Sequence, residues 1–159
     1  MKAIYPGSFD PFTNGHLDIV KRALNVVDGL VIAILKNTKK KGLFSIEQRV
    51  DVIREALGEY NDRVEVESFE GLLVDYCRRK EVPVVIRGLR AVSDFDYETA
   101  IYLMNKEMLE GFETLFFMSS SENSFISSTI IKEVASFGGD VSEQVPPSVQ
   151  KLLSDKFSS

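Results

Sequence analysis

Short β-branched runs alternate with amphipathic helical patterns along this chain, and no other feature constrains the fold as strongly. The runs predict five strands, at Lys2–Tyr5, Leu30–Leu35, Val64–Glu67, Val82–Ile86 and Thr114–Met118. Strands that alternate with helices pair in parallel through right-handed crossovers. The second run is apolar at every position, which is typical of a parallel strand covered on both faces.

Helical periodicity fills the intervals between the runs. Apolar residues recur every three or four positions in two sets: Leu17, Val20, Leu24 and Val27, and then Ile46, Val50, Ile53 and Leu57. Ser45 and Gln48 open the second set at capping-box spacing. Further helices are expected over about residues 71–80 and 93–109, after Ile126 and after Pro147.

No repeat, low-complexity segment or linker interrupts this pattern. We therefore expect residues 1–159 to form a single domain. The predicted fold is α/β, doubly wound and Rossmann-like, with a five-stranded parallel sheet, helices on both faces and C-terminal helices.

Composition excludes several classes of protein. Nineteen Lys and Arg against 24 Asp and Glu give a net charge of −5 and a pI near 5.0, which argues against a general nucleic-acid binder. The longest apolar run, Leu30–Leu35, is far shorter than the roughly 18 residues of a membrane span, and Pro6 interrupts the first segment before a signal peptide can form. The one cysteine, Cys77, excludes an internal disulfide. We expect a cytoplasmic protein that binds neither nucleic acid nor membrane.

The carboxyl ends of parallel strands are where such sheets bind ligands. The segment after the first strand, Tyr5–His16, contains two glycines and two prolines and leads into a helix, although its spacing is neither a Walker A loop nor a dinucleotide fingerprint. A loop of this kind presents free N–H groups at the positive end of the helix dipole, which suits a phosphate. His16, the only histidine, lies in the first turn, where the dipole disfavours the imidazolium and favours a neutral donor. The alternative is a surface or capping histidine.

Three further strand ends carry groups that bind anions. Lys39–Lys41 follow the second strand, Arg87 and Arg90 follow the fourth, and the serine-rich segment Ser119–Thr129 follows the fifth and reaches another helix start. An arginine at the end of a buried strand needs an anionic partner, which is either a phosphate or a nearby carboxylate. A solvated lysine loop and a plain serine linker are the corresponding alternatives for the other two segments. The convergence of four strand ends predicts a site for several phosphates.

The lack of several catalytic residue patterns limits the types of reaction that this chain could catalyse. One histidine and one cysteine leave no histidine–cysteine metal cluster, and no G-x-S-x-G elbow occurs. Transfer of a nucleotidyl group to an ionised phosphate needs no strong protein base, because the catalyst aligns two polyanions and absorbs charge. The chain suits this chemistry.

Several motifs resemble the nucleotidyltransferase superfamily that carries a (T/H)-x-G-H loop, matched here by Thr13–His16. A second mark of that superfamily, a helix start of the I-S-S-T type, is matched by Ile126–Thr129. Within the superfamily the chain is most similar to the bacterial phosphopantetheine adenylyltransferases. The segments that carry this likeness span most of the chain: Tyr5–Pro11, Thr13–His16, Ile86–Val92, Asp94–Phe95, Tyr97–Glu98 and Ser124–Thr129.

The resemblance implies the penultimate step of coenzyme A synthesis, in which ATP and 4′-phosphopantetheine give dephospho-CoA and pyrophosphate with Mg²⁺ held mainly by the ATP phosphates. It implies catalytic roles for His16, Lys40 and Arg90. Acceptor binding falls to Ser8, Lys40, Leu73 and Arg87. The implied ATP-binding residues are Ser8, Phe9, His16, Gly88, Leu89, Arg90, Glu98, Asn123, Ser124, Phe125, Ile126, Ser127, Ser128 and Thr129.

Two positions depart from the family pattern. Ser8 stands where threonine is common, and Asn123 stands where tryptophan or tyrosine often occurs. Lys40 is chosen among Lys39–Lys41 by alignment register. The resemblance also implies a homo-oligomer, a hexamer, and competition by the product dephospho-CoA and by CoA. The apolar segment Ala100–Met104 suits either the core or a subunit interface.

Two other functions stay open at this point. A sister transferase would act on another phosphate, such as nicotinamide mononucleotide or glycerol phosphate, but such relatives usually carry histidine at the Thr13 position and lack the run Arg87–Arg90. A non-catalytic nucleotide-sensing domain would need no residue aimed at a reacting phosphorus, so the presence of His16 together with Lys40, Arg87 and Arg90 disfavours it.

Overall fold

A five-stranded, wholly parallel sheet forms the centre of the molecule in the computed structural model, which describes residues 1–158 apart from the side chains of Val92 and Ser93. The strands are β1 (Lys2–Gly7), β2 (Gly29–Leu35), β3 (Val64–Phe69), β4 (Val84–Leu89) and β5 (Glu113–Met118). Their order in the sheet is β3-β2-β1-β4-β5. Strands β2 and β3 are thus added on one side of β1 and strands β4 and β5 on the other, so the strand order reverses between β1 and β4. The parallel sheet predicted from the alternating pattern is confirmed.

Six α-helices cover the sheet. They are α1 (Asn14–Ala23), α2 (Ile46–Leu57), α3 (Leu73–Lys80), α4 (Val92–Met108), α5 (Ser128–Ser136) and α6 (Pro147–Phe157), with a short 3₁₀ turn over Gly58–Asp62. None of the helices within residues 1–158 combines the length and the apolar character that crossing a membrane requires.

Alternate residues of the central strands face two separate cores. In β2, Ile32 and Ile34 pack with α1, α2, α5 and α6, whereas Val31 and Ala33 pack on the opposite face with α3 and the end of α4. Every residue from Gly29 to Ile34 is buried. Helices on both faces are therefore the physical reason why this strand is apolar throughout.

Strand ends differ from the prediction where prolines and polar side chains intervene. We predicted the fourth strand at Val82–Ile86, but it begins at Val84, because Pro83 has no N–H to donate to a ladder, and it continues to Leu89. Arg87 and Gly88 therefore lie inside β4 rather than after it. The first helix ends at Ala23. Val27 is buried, but it lies in the turn after the helix and not on the helix face where we predicted it.

The reversal between β1 and β4 opens a crevice. β1 pairs with β2 along its whole length, but it meets β4 in register only where Ile4 lies opposite Val85. Beyond that point the carboxyl ends of the two strands leave room for a ligand, as is usual where the strand order of a doubly wound sheet reverses.

Candidate active site

A cavity of about 370 Å³ occupies this crevice at the carboxyl ends of β1 and β4. The loop after β1, the first turn of α1, the end of β4 and the start of α5 all contribute to its wall. Most of the predicted ATP-binding residues line it, namely Ser8, Phe9, His16, Gly88, Arg90, Glu98, Asn123, Ile126, Ser127, Ser128 and Thr129. Three other predicted residues do not line the cavity. Leu89 is buried at the end of β4, and Ser124 and Phe125 are exposed.

His16 is fixed in this wall by the residue that starts its helix. Thr13 is the N-cap of α1, and its hydroxyl accepts the backbone N–H of His16. In return, the backbone N–H of Thr13 donates to Nδ1 of His16 at 3.0 Å. Because Nδ1 is an acceptor, a neutral imidazole carries its proton on Nε2. Phe9 and Phe12 hold the ring in place, at centroid distances of 4.9 and 5.5 Å.

The imidazole stays neutral over the physiological range. Burial lowers the pKa of His16 from 6.5 to about 4, and the positive charges of Arg90 and Arg87 act in the same direction. The sequence predicted the neutral form through the helix dipole, whereas burial and the two arginines carry the effect in the structure. His16 is therefore a hydrogen-bond donor aimed from Nε2 and not a base held ready at neutral pH.

Arg87 is held by a carboxylate across the crevice. Its Nε and Nη2 donate to the two carboxylate oxygens of Glu98 at 2.9 and 2.6 Å, and its Nη1 donates to the carbonyl of Pro6 at 3.1 Å. Burial alone would lower the pKa of Arg87, but the hydrogen bond and charge of Glu98 outweigh it and raise the pKa. In this structure the partner of Arg87 is thus the carboxylate that the sequence left as the alternative to phosphate.

Arg90 is less tightly held. Its Nε lies 3.4 Å from Asp94, and its Nη1 donates to the carbonyl of Ile126 at 3.4 Å. Asp94 also accepts the backbone N–H of Arg90 at 3.0 Å. Both contacts are long for charge-assisted hydrogen bonds, and they involve only two of the five guanidinium N–H groups of Arg90.

A second, more apolar cavity of about 330 Å³ adjoins the first. Leu73, which the sequence analysis assigned to the acceptor's arm, lines it from the start of α3, and Ile101 and Tyr102 of α4 line it as well. Ser8 and Arg87 belong to the walls of both cavities. Pro6, Gly7 and Glu98 also line both, so the two spaces meet at the hydroxyl of Ser8 and at the ion pair of Arg87 with Glu98.

A third cavity is lined by five lysines and one arginine. It is about 760 Å³ in volume, and its cationic side chains come from Lys36, Lys40, Lys41, Arg49, Lys132 and Lys156. Lys40 lies in this wall and not in that of the His16 cavity, so the direct juxtaposition of Lys40 with His16 does not occur in this structure. Ser8, Ser128 and Thr129 line both spaces, which makes them continuous.

Sequence reasoning missed three contributors to these walls. Asp10 and Arg49 are buried beside Ser8, and Lys132 of α5 lies 3.6 Å from Asp10. Asp10 was quoted within the motif Tyr5–Pro11 but received no role, and its position there is the one signal that pointed to it. Arg49 shows no pattern in the sequence, because only the fold brings α2 against the loop after β1.

The carboxylates of the crevice pair with arginines rather than with one another. Within residues 1–158 no group of three or more His, Cys, Asp and Glu side chains comes together with the spacing of metal ligands. The acidic side chains of the crevice, Asp94 and Glu98, face Arg90 and Arg87.

Comparison with known proteins identifies the family of this chain. The cytidylyltransferase-like family matches residues 4–134. A phosphopantetheine adenylyltransferase of Streptomyces coelicolor is 52% identical over 156 residues, covering 98% of this chain and 97% of the relative. This chain belongs to the phosphopantetheine adenylyltransferase family. Enzymes of the same name from Leptospira biflexa and Syntrophotalea carbinolica are 54% and 52% identical and also cover 98% of the chain, with 97% and 93% of their own lengths matched.

Solved structures support the fold. Two crystal structures of a bifunctional NMN adenylyltransferase/ADP ribose pyrophosphatase from Francisella tularensis, one of them in complex with AMP and a manganese ion, superpose with TM-scores of 0.77 and 0.73. They cover 99% of this chain at 15% and 17% identity, and the chain spans about half of their length. The likeness extends to the Rossmann-like architecture of nucleotidyltransferases and establishes the fold class.

Proposed function

We propose that this chain transfers the adenylyl group of ATP to 4′-phosphopantetheine, giving dephospho-CoA and pyrophosphate in the penultimate step of coenzyme A synthesis. One observation carries the proposal: a polar cavity with His16 and a helix start meets an apolar cavity at Ser8 and Arg87. A nucleotide with its phosphates suits the first space and the pantetheine arm suits the second. The strong similarity to enzymes of that name supports the same acceptor, whereas neither nicotinamide mononucleotide nor glycerol phosphate accounts for the apolar cavity.

The chemistry needs alignment and charge stabilisation. A phosphate oxygen of the acceptor attacks the α-phosphorus of ATP, the bond from that phosphorus to the bridging oxygen breaks, and pyrophosphate leaves with the bonding electrons. The attacking phosphate is already ionised near neutral pH, so no protein base has to remove a proton. The Nε2–H of His16 donates to an α-phosphate oxygen as negative charge grows there.

Arg87 and Ser8 bind the acceptor phosphate at the junction of the cavities. Glu98 and Pro6 engage three of the five guanidinium N–H groups of Arg87, which leaves two for a phosphate. Glu98 thereby orients the fork of Arg87 while the remaining N–H groups bind substrate. Leu73 contacts the pantetheine arm beyond it.

The outer phosphates of ATP lie toward α5. Ser127 caps this helix by accepting the N–H of Ile130 at 3.2 Å, and the free N–H groups of the first turn suit an anion. Arg90 neutralises the charge between this helix and β4. Lys40 bridges the reacting phosphates from the adjoining basic cavity, which requires its side chain to enter through the opening shared by Ser8 and Thr129.

Magnesium accompanies ATP in this proposal. The crevice supplies hydroxyl oxygens but no free carboxylate cluster, so Mg²⁺ is held mainly by the phosphate oxygens, as is common for this ion. When bound, it neutralises part of the triphosphate charge. Dephospho-CoA and CoA compete with both substrates, because each of them spans the two cavities. We place the enzyme in the cytoplasm and infer a homohexamer.

An acceptor panel tests the substrate assignment. The protein is incubated with Mg-ATP and, separately, with 4′-phosphopantetheine, nicotinamide mononucleotide and glycerol phosphate, while pyrophosphate release is followed. We expect release with 4′-phosphopantetheine far above that with the others. Equal rates with all three acceptors, or a preference for either of the other two, would contradict the proposal.

A further inference from the structure

A buried carboxylate outside the crevice binds three segments of the chain that surround it. Asp10 is only 5% exposed. Its Oδ2 accepts the backbone N–H of Leu43 at 2.8 Å, and its Oδ1 accepts that of Phe44 at 3.0 Å. The loop after β1 is thereby joined to the end of the loop after β2, which bears Lys40. Lys132 of α5 approaches the same carboxylate at 3.6 Å.

Arg49 completes this arrangement from α2. It is 7% exposed, and its Nε lies 3.4 Å from Oδ1 of Asp10. Its Nε and Nη2 both donate to the carbonyl of Phe44, at 2.9 and 2.6 Å, and its Nη1 donates to the carbonyl of Ser8 at 3.2 Å. One guanidinium therefore ties the residue that binds the acceptor phosphate to the base of the lysine loop.

The backbone contacts of Asp10 and Arg49 indicate a role beyond that of a buried ion pair. A buried ion pair is weak evidence for stability, because desolvation offsets the attraction. Here, however, every strong contact of Asp10 and Arg49 goes to a backbone N–H or carbonyl of Ser8, Leu43 or Phe44. Backbone contacts fix where a loop runs. The two loops connected in this way present Ser8 and Lys40 to the continuous space beside the crevice.

We infer that Asp10 and Arg49 are positioning residues for the transfer reaction, because they set the distance between Ser8 and the loop of Lys40. The acceptor phosphate bound at Ser8 is thereby aligned with the Lys40 ammonium, which neutralises the negative charge of the reacting phosphates. The inference rests on the proposed function for its catalytic part. Neither residue touches substrate. Their effect on rate is exerted through Lys40 and Ser8.

Double-mutant kinetics test the catalytic part. Asp10→Asn places an amide NH₂ against a backbone N–H, so one loop bond is lost together with the charge. We expect Asp10→Asn to lower kcat by about 5- to 50-fold with the KM for ATP changed by less than about threefold, as for coupled neighbouring sites. In a Lys40→Ala background the same substitution should cost less than about threefold, because the loop then has no cation to position.

Multiplicative losses in the double variant would overturn the inference, since they would show that Asp10 acts independently of Lys40. A Lys40→Ala variant with normal kcat would overturn it as well. Asp28→Asn is the matched control, because this carboxylate is exposed and pairs only with the N-terminus among the described groups. Its kinetics should equal those of the unaltered chain.

Hydrogen exchange tests the structural part without any activity. In Asp10→Asn, and in Arg49→Lys if the first variant fails to fold, the amides of Leu43 and Phe44 should exchange at least about tenfold faster, while those of β2 keep their protection. Unchanged exchange at both amides would overturn the inference. If the unaltered chain makes no dephospho-CoA, the proposed function fails, and exchange alone then decides whether Asp10 and Arg49 hold the loop.

Discussion

His16 shows how one side chain receives its chemistry from its neighbours. The sequence predicted that this ring lies in the first turn of a helix after a glycine-containing loop, and the structure places it there, in the wall of the crevice. The tautomer was not predictable, because it depends on the backbone N–H of Thr13 turning toward Nδ1 at 3.0 Å. The low pKa depends on burial and on Arg90 and Arg87, which the chain brings near only after β4 has paired beside β1.

Replacing His16 by alanine should impair the chemical step. We expect kcat to fall on the order of 10²–10³-fold, comparable to the loss of one oxyanion donor, since the Nε2–H stabilises charge that develops only in the transition state. ATP affinity should change much less. Single-turnover transfer measured in parallel with ATP binding checks this, and a collapse confined to ATP affinity would remove His16 from the catalytic role.

The half-buried imidazole also predicts a pH dependence of stability. The unfolded chain takes up a proton on His16 near pH 6.5, but the native protein does so only near pH 4. Between these values the unfolded state binds more protons, so the free energy of unfolding falls as the pH is lowered through this window. Plotted against pH, the free energy of unfolding in urea of the unaltered chain should therefore fall relative to that of His16→Gln as the pH is lowered from about 6.5 to 4. Curves that stay parallel would show that the ring titrates normally.

At the scale of elements, the sequence predicted which segments form strands and helices but not where β4 ends. Its apolar pattern stops at Ile86, so Arg87 was expected in a loop, and the extension to Leu89 depends on pairing with β5 opposite Phe116 and Phe117. The partner of Arg87 was equally hidden. Glu98 reaches it only because α4 lies across the end of β4, and the rotation of a helix about its axis is set by tertiary packing.

Arg87→Ala should separate the two ligands. Loss of a charge-assisted contact to the acceptor phosphate is worth about 1.5–3 kcal/mol, or roughly ten- to a hundredfold in the affinity for phosphopantetheine. ATP binding should weaken much less. Calorimetry with each substrate measures this, with the exposed Arg78→Ala as the control. Equal losses for both ligands would contradict the assignment of Arg87 to the acceptor.

At the scale of the whole molecule, the sequence predicted a parallel sheet with helices on both faces but could not give the strand order, which depends on long-range pairing. It also left open whether Ala100–Met104 is core or interface. Leu103 and Met104 are 56% and 62% exposed in the single chain. Ile101 and Tyr102 instead line the apolar cavity, and Tyr102 also packs against the core around Val31, so the segment is divided between core and surface. An exposed apolar helix face of this kind is typical of a surface that another chain covers.

A substitution in α4 tests whether its exposed apolar face is an interface of the proposed hexamer. Met104→Glu places a charge in the exposed apolar face of the helix, and a charge buried without a partner opposes association. We expect light scattering to report an assembly larger than a dimer for the unaltered chain and a smaller species for Met104→Glu. Val26→Glu, on an exposed turn after α1, is the control and should leave the mass unchanged. A monomeric unaltered chain would refute the proposed hexamer.

The fate of the ATP phosphates tests the central claim most directly. The protein is given 4′-phosphopantetheine and Mg-ATP labelled on either the α- or the γ-phosphate, and the products are separated. Attack at the α-phosphorus predicts that the α-label appears in dephospho-CoA and the γ-label appears in pyrophosphate. A γ-label carried by the acceptor, or an α-label that stays in ADP, would show phosphoryl transfer and would contradict the role of this site in adenylyl transfer.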